Sequence, residues 1–211
     1  MKTDDLIRAL AADSQPPRPF RAGLAAMALI AAVLGVSVVF LGMAGPRAGL
    51  MSALGQPMIA AKSALPLMLF LLALPVTVEM MRPERLPRLP RALILPIALA
   101  VVLWVTAFAT LPEDLRFADV SRFALTECLG LIIGLSLPSL GLAFMVLRRG
   151  APASPLLAGA MAGVTIGSGT AAGYSLFCTQ DNPLFYVTWY GVAILAVTIL
   201  AAIIGSRALR W

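Results

Sequence analysis

Six long apolar runs, separated by short polar connections, make up most of the sequence. They cover residues 22–44, 63–81, 92–111, 123–147, 153–177 and 184–206. An α-helix rises about 1.5 Å per residue, so about 20 apolar residues cross the roughly 30 Å of lipid hydrocarbon. The pattern therefore predicts an all-α integral membrane protein built as a bundle of six transmembrane helices, with the first run retained as an anchor.

The composition supports this prediction. Of the 211 residues, 60% are hydrophobic and 12% are charged, whereas soluble domains have about 45–50% and about 25%. The sequence contains no histidine, which is the residue most used for proton transfer and metal binding near neutral pH. This absence argues against hydrolytic or zinc chemistry, and we expect a protein that is not an enzyme.

The connections between the runs alternate in charge. Residues 1–21, 82–91, 148–149 and 207–210 carry 12 of the 16 Lys and Arg residues. Connections rich in Lys and Arg stay on the cytoplasmic side of a membrane. Both termini are therefore predicted to be cytoplasmic, and the net charge of +6 needs no nucleic-acid partner.

The N-terminal segment, residues 1–21, differs from the rest of the chain. It predicts a short amphipathic helix that ends before the proline-rich spacer at 16–19. The apolar stripe of the helix and its polar neighbours are Asp5, Leu6, Ile7, Arg8 and Leu10. A helix of about ten residues is marginal alone in water, so the stripe needs a surface. Lipid headgroups remain one alternative, but the aspartates of the segment favour a protein partner.

Two cysteines lie at the same predicted depth. Cys128 follows the start of the fourth run and Cys178 follows the end of the fifth, so both face the periplasm. Disulfides persist in that oxidising compartment, and two neighbouring helices permit one when the Cα atoms lie about 4.4–6.8 Å apart. Free cysteines are also common as small buried apolar residues, and the sequence leaves both interpretations open.

Two carboxylates neighbour the cysteines in sequence. Glu127 and Asp181 are candidate companions of the two thiols in a soft-metal site. Each has a plainer alternative: Asp181 suits the N-cap of the sixth helix, and Arg116 or Arg122 would neutralise Glu127.

Small and aromatic residues predict packing. Gly159, Gly163 and Gly167 recur at every fourth position, a spacing that lets helices approach closely, within one chain or between copies in a homo-oligomer. Trp189 and Tyr190, near the start of the sixth run, are typical of the aromatic belt at a membrane surface.

The leader and one later segment resemble a known family. The leader reads Met-Lys-Thr-Asp-Asp-Leu-Ile-Arg-Ala-Leu-Ala-Ala-Asp over residues 1–13, and residues 178–190 read Cys-Thr-Gln-Asp-Asn-Pro-Leu-Phe-Tyr-Val-Thr-Trp-Tyr. Together with six runs and one cysteine near each of the fourth and fifth, they resemble the NrsF family. In that family a histidine often precedes the second cysteine, where Phe177 stands here, so we expect no histidine-assisted sensing.

The resemblance implies a function that the composition does not. It implies an anti-sigma factor that holds an extracytoplasmic-function sigma factor at the inner membrane of a Gram-negative bacterium, with residues 1–21 as the binding segment and 22–211 as the sensor domain. It also implies that Cys128 and Cys178 sense oxidative or heavy-metal stress, with a transient soft-metal ion and no resident cofactor. The alternative is a small transporter or channel, whose helices are also interrupted by Pro and Gly.

Overall fold

The computed structural model describes residues 3–12, 21–82, 90–117 and 120–209. Over these ranges the chain contains helices and turns but no strand. The helices are α1 (Thr3–Ala12), α2 (Ala22–Ala44), α3 (Leu50–Leu54), α4 (Pro57–Glu79), α5 (Ile94–Thr110, preceded by the 3-10 turn Arg91–Leu93), α6 (Arg122–Leu147), α7 (Pro155–Ser175) and α8 (Pro183–Ala208). Six of them, α2 and α4 to α8, are long and apolar enough to cross a membrane, which confirms the predicted fold class.

The helix boundaries differ most from the prediction at α4. The helix begins at Pro57, six residues before the predicted start, because Lys62 lies inside the helix with only 1% of its surface exposed. The prediction placed this charged residue in a polar connection. The short helix α3, between Gly49 and Gly55, was not predicted.

The helices alternate in direction along the chain. Residues 45–56, 111–117, 120–121 and 176–182 therefore meet at one end of the bundle, which we call the cysteine end. At the opposite end lie the start of α2, the end of α8 and the connection 148–154. The prolines inside α4 and α6 do not end either helix.

Helix α7 is the centre of the bundle. It packs against α8, α4, α6 and α2, whereas α5 lies at the edge against α8 and α4. Two thirds of the most apolar stretch of α7 is buried, the largest share among the six long helices. Helices α7 and α4 are also joined by a buried hydrogen bond of 2.8 Å between the hydroxyls of Thr77 and Thr165.

The glycine repeat packs α7 directly against the backbone of α8. A Cβ atom at Gly159 would lie 2.5 Å from the carbonyl oxygen of Ala201, and one at Gly163 would lie 2.6 Å from the Cα atom of Thr198. At Gly167 the nearest atoms would be 3.4 Å away, an ordinary contact. The predicted close packing is confirmed, and the repeat is used within the chain.

Candidate functional site

The two cysteines are buried in one cluster at the cysteine end. Cys128 lies in the second turn of α6, and Cys178 lies three residues after the last residue of α7. They are 1% and 4% exposed, both are free thiols, and both belong to a single cluster of buried residues. The structure therefore brings together two residues that are 50 positions apart in the sequence.

Aromatic side chains surround the two thiols. Tyr174 and Tyr190 pack edge to face with ring centroids 5.9 Å apart, and Tyr186 lies 6.3 Å from Tyr190. The hydroxyl of Tyr186 donates a hydrogen bond of 2.8 Å to the carbonyl of Met58. The prediction that Tyr190 belongs to a surface belt is wrong, because the residue is 4% exposed and packs inside the thiol cluster.

An ion cluster of Arg47, Lys62 and Asp181 lies beside Cys178. Arg47 makes a two-bond pair with the Asp181 carboxylate, in which Nη2 donates to Oδ2 at 2.8 Å. Lys62 reaches the same carboxylate from α4, with its Nζ atom 3.3 Å from Oδ1. We call these three residues the Asp181 cluster; it joins the loop after α2, the second turn of α4 and the α7–α8 connection.

The cations of the Asp181 cluster also bind the backbone of Cys178. The Nζ atom of Lys62 donates a hydrogen bond of 2.6 Å to the Cys178 carbonyl oxygen. Nη1 of Arg47 approaches the same oxygen at 3.4 Å, and the Arg47 amide donates to the carbonyl of Leu176 at 3.0 Å. The position of Cys178 therefore depends on both cations.

The charge of Asp181 is fixed by its neighbours. Burial alone would raise the pKa of its carboxyl, but the hydrogen bond from Arg47 and the charge of Lys62 outweigh burial and hold that pKa below its usual value. The hydrogen bond with Asp181 raises the pKa of Arg47 in turn. The carboxylate stays ionised near neutral pH and is already engaged by two cations.

The expected cap role of Asp181 is wrong. Asn182 caps α8 instead, since its side-chain oxygen accepts a hydrogen bond of 3.0 Å from the amide of Leu184. The neighbouring Pro183 occupies the first turn of α8, as proline at a helix start favours. Asp181 is thereby free of the helix end and turns to the cations.

A small cavity of about 190 Å³ opens next to Cys178. Its lining includes Arg47, Glu127, Tyr174 and Cys178. No hydrogen bond or ion pair reaches Glu127 from the residues that the structure describes. Arg116 does not neutralise it, because its guanidinium lies 3.7 Å from Glu113 and 4.4 Å from the ring centroid of Phe108.

The described residues contain no group of three or more His, Cys, Asp or Glu side chains placed to hold a metal ion. The expected set of two thiols with Glu127 and Asp181 is therefore not assembled. Because Asp181 is paired with Arg47 and Lys62, only the two thiols and the unpaired Glu127 remain as donors. Two thiolates suffice for thiophilic ions that accept two ligands.

Within the predicted partner-binding segment, residues 3–12 form α1. Asp5 and Arg8 are exposed, and Ile7 is 58% exposed. The side chains of Leu6 and Leu10, the predicted spacer at 16–19 and residues 83–89 lie outside the described residues. No helix pair in contact in the described part of the chain includes α1, so its exposed face carries no helix of this chain.

Sequence reasoning missed Arg47 and Lys62 as members of the site. Their signal was present: ionisable residues at or inside apolar segments of a membrane protein are costly and commonly functional. Their partner was not visible, because Asp181 follows them by 134 and 119 positions.

A family model and two curated relatives point to the same family. A family model described as "NrsF: Negative regulator of sigma F" matches residues 10–211. The chain is similar to the anti-sigma-F factor NrsF of Caulobacter vibrioides, with 32% identity over the full length of both proteins. It is also similar to a probable anti-sigma-F factor NrsF of Azospira oryzae, with 30% identity over both full lengths. No solved structure matches the chain.

The residues that the family model matches include all six long apolar helices. The family match favours a regulator over the transporter alternative, because the matched relatives are named anti-sigma-F factors. This chain belongs to the NrsF family of negative regulators of sigma F.

Proposed function

We propose that the chain holds an extracytoplasmic-function sigma factor at the inner membrane through residues 1–21 and releases it when Cys128 and Cys178 react with an oxidant or a thiophilic metal ion. The thiols face the periplasm in this proposal, and both termini are cytoplasmic. The observation that carries it is the burial of both thiols in one cluster at the end of the bundle opposite the start of α2.

The exposed α1 helix supports the binding role. Ile7 is 58% exposed, which a sigma factor would cover by accepting the apolar stripe in a groove. Asp5 and Arg8 flank the stripe and would fix the orientation of the bound helix. The basic residues at the end of the bundle opposite the cysteine end support a cytoplasmic placement of the segment that precedes α2.

The thiol cluster supports the sensing role. Its aromatic lining keeps both thiols away from bulk solvent, so only small reagents, or an opening of the cluster, reach them. Oxidation of two thiols to a disulfide transfers two electrons and two protons to the oxidant. Tenfold release of the sigma factor requires only about 1.4 kcal/mol of coupling between the two ends.

Deletion of residues 2–13 tests the docking claim. We expect constitutive release of the sigma factor, measured by its co-purification with the membrane protein in mild detergent. Ile7→Glu should weaken co-purification, while Ala12→Glu, on a different face of α1, serves as the matched control. Normal retention after the deletion would refute the role of residues 1–21.

Cys128→Ser and Cys178→Ser test the sensing claim separately. Each variant should retain the sigma factor without stress and lose the response to diamide or cadmium. A full response in both variants would show that the thiols are only packing residues. An impermeant maleimide should label Thr179→Cys, but not Arg207→Cys, in intact cells with both native cysteines replaced; the reverse pattern would refute the topology.

A further inference from the structure

Lys62 is a buried cation whose bonds lead to the thiol site. It lies in the second turn of α4 and is 1% exposed. Its Nζ atom donates at 2.6 Å to the carbonyl of Cys178 and lies 3.3 Å from Oδ1 of Asp181. A buried ammonium group is tolerated only where its charge and its donors are matched. The Cys178 carbonyl and the Asp181 carboxylate provide that match, and both belong to the α7–α8 connection.

The same connection is tied to the loop after α2. Arg47 bonds Asp181 through its side chain, and its amide bonds the carbonyl of Leu176 at 3.0 Å. Ser63, next to Lys62, shares a hydrogen bond of 2.6 Å with Ser175 at the end of α7. The segment that carries Cys178 is therefore bonded both to α4 and to the loop after α2.

We propose that Lys62 is a positioning residue that couples the chemical state of Cys178 to the arrangement of α2 and α4. The thiol and the carbonyl that Lys62 binds belong to the same residue, so a new bond at the sulfur moves the acceptor of the ammonium. Lys62 then loses its 2.6 Å contact, and Asp181 shifts with the segment. The inference rests on the proposed function, because α2 continues toward the segment proposed to bind the sigma factor.

The polarity of the site supports coupling over simple packing. An apolar residue at position 62 would fill the same space without the cost of a buried charge. The ammonium instead makes the position of α4 depend on two acceptors, the Cys178 carbonyl and the Asp181 carboxylate, which lie close together in the same connection. A change at Cys178 therefore alters the electrostatic balance of a helix in a different part of the chain.

Lys62→Met is the test variant, since it keeps the length of the side chain and leaves the Arg47–Asp181 pair in place. Arg116→Met is its matched control, because it removes a cation at the cysteine end that pairs with Glu113 rather than with Asp181. The full chain is purified with its sigma factor bound. Diamide then accepts two electrons and two protons from the two thiols, which form a disulfide while the azo group becomes a hydrazine.

Two readouts separate coupling from packing. In Lys62→Met the sigma factor should be retained equally before and after diamide, while thiol labelling shows the same oxidation as in the parent protein. In a Cys128→Ser background, alkylation of Cys178 by N-ethylmaleimide should be about tenfold faster with Lys62→Met, because the segment opens more readily. Arg116→Met should match the parent in both. A parental response and a parental alkylation rate in Lys62→Met would overturn the proposal.

A third measurement uses the parent sequence and does not require the variant to fold. Hydrogen exchange at the amide of Arg47, bonded to Leu176 in the reduced chain, should become faster after diamide, while amides in the middle of α7 keep their protection. Unchanged exchange at Arg47 would overturn the coupling. If the parent never releases its sigma factor on oxidation, the proposed function fails, whereas alkylation and exchange still decide the role of Lys62.

Discussion

Removal of the Asp181 carboxylate should destabilise the bundle through the charge that it leaves behind. In Asp181→Ala, Arg47 can gain water because its side chain is 13% exposed, but Lys62, at 1%, cannot. Breaking a buried pair by removal of one partner costs about 3–5 kcal/mol. The side chain of Asp181 is 28% exposed, so we expect the lower end, about 3 kcal/mol, or about a hundredfold in the unfolding equilibrium.

The assay is unfolding of the purified chain in mixed micelles with increasing SDS, followed by circular dichroism. Asp114→Ala is the control, since it removes an exposed acidic residue at the same end and should change stability by less than about 0.5 kcal/mol. Adding Lys62→Met to Asp181→Ala should restore part of the loss, because the unpaired charge is gone. A double variant as unstable as Asp181→Ala, or a single variant as stable as the control, would refute the reasoning.

Three further predictions concern the same bundle. Folding lowers the pKa of Asp181. The contribution of its carboxylate to stability should therefore be complete above the unfolded pKa of about 4 and be lost as the pH falls through the lower folded pKa. In SDS unfolding between pH 6 and pH 3, the free energy of unfolding should fall with pH in the parent and fall less in Asp181→Ala. Gly163→Ala should cost about 1–3 kcal/mol because its Cβ would collide with Thr198, whereas Gly134→Ala, with open space around it, should be neutral or slightly stabilising in the same assay. Asn182→Ala should cost about 1 kcal/mol in the unfolding titration through loss of the α8 cap, and a change below about 0.3 kcal/mol would contradict that role.

The helices were largely predictable because lipid imposes a simple requirement on the sequence. Each apolar run had to satisfy its backbone internally, and a helix of about 20 residues does so. The predicted start of the second transmembrane helix was wrong, because a lysine such as Lys62 is expected in a polar connection unless its carboxylate partner is known. That partner lies 119 positions later, and no local pattern links the two.

The sequence predicted the two thiols and the acidic residue Asp181 of the site, but not the cations Arg47 and Lys62. Alternation of helix direction was enough to place Cys128 and Cys178 at one end, since both lie close to helix ends. Asp181 suited a cap by its position before Pro183, but Asn182 was an equally good cap. The two residues have similar capping preferences, but proline favours the first helical position, and this local rule selects Asn182, the residue directly before Pro183.

The glycine contact between α7 and α8 restricts how the two sulfur atoms could be drawn together. Where one backbone rests on another, as at Gly159 and Gly163, the helices form a single stiff unit with little room to slide. Cys178 belongs to the connection inside that unit, whereas Cys128 belongs to α6. A bridge between them would therefore move α6 relative to this unit, in addition to the connection that carries Cys178. Helix α2 lies against α6, so this movement would also reach the helix that leads back to the leader of the chain.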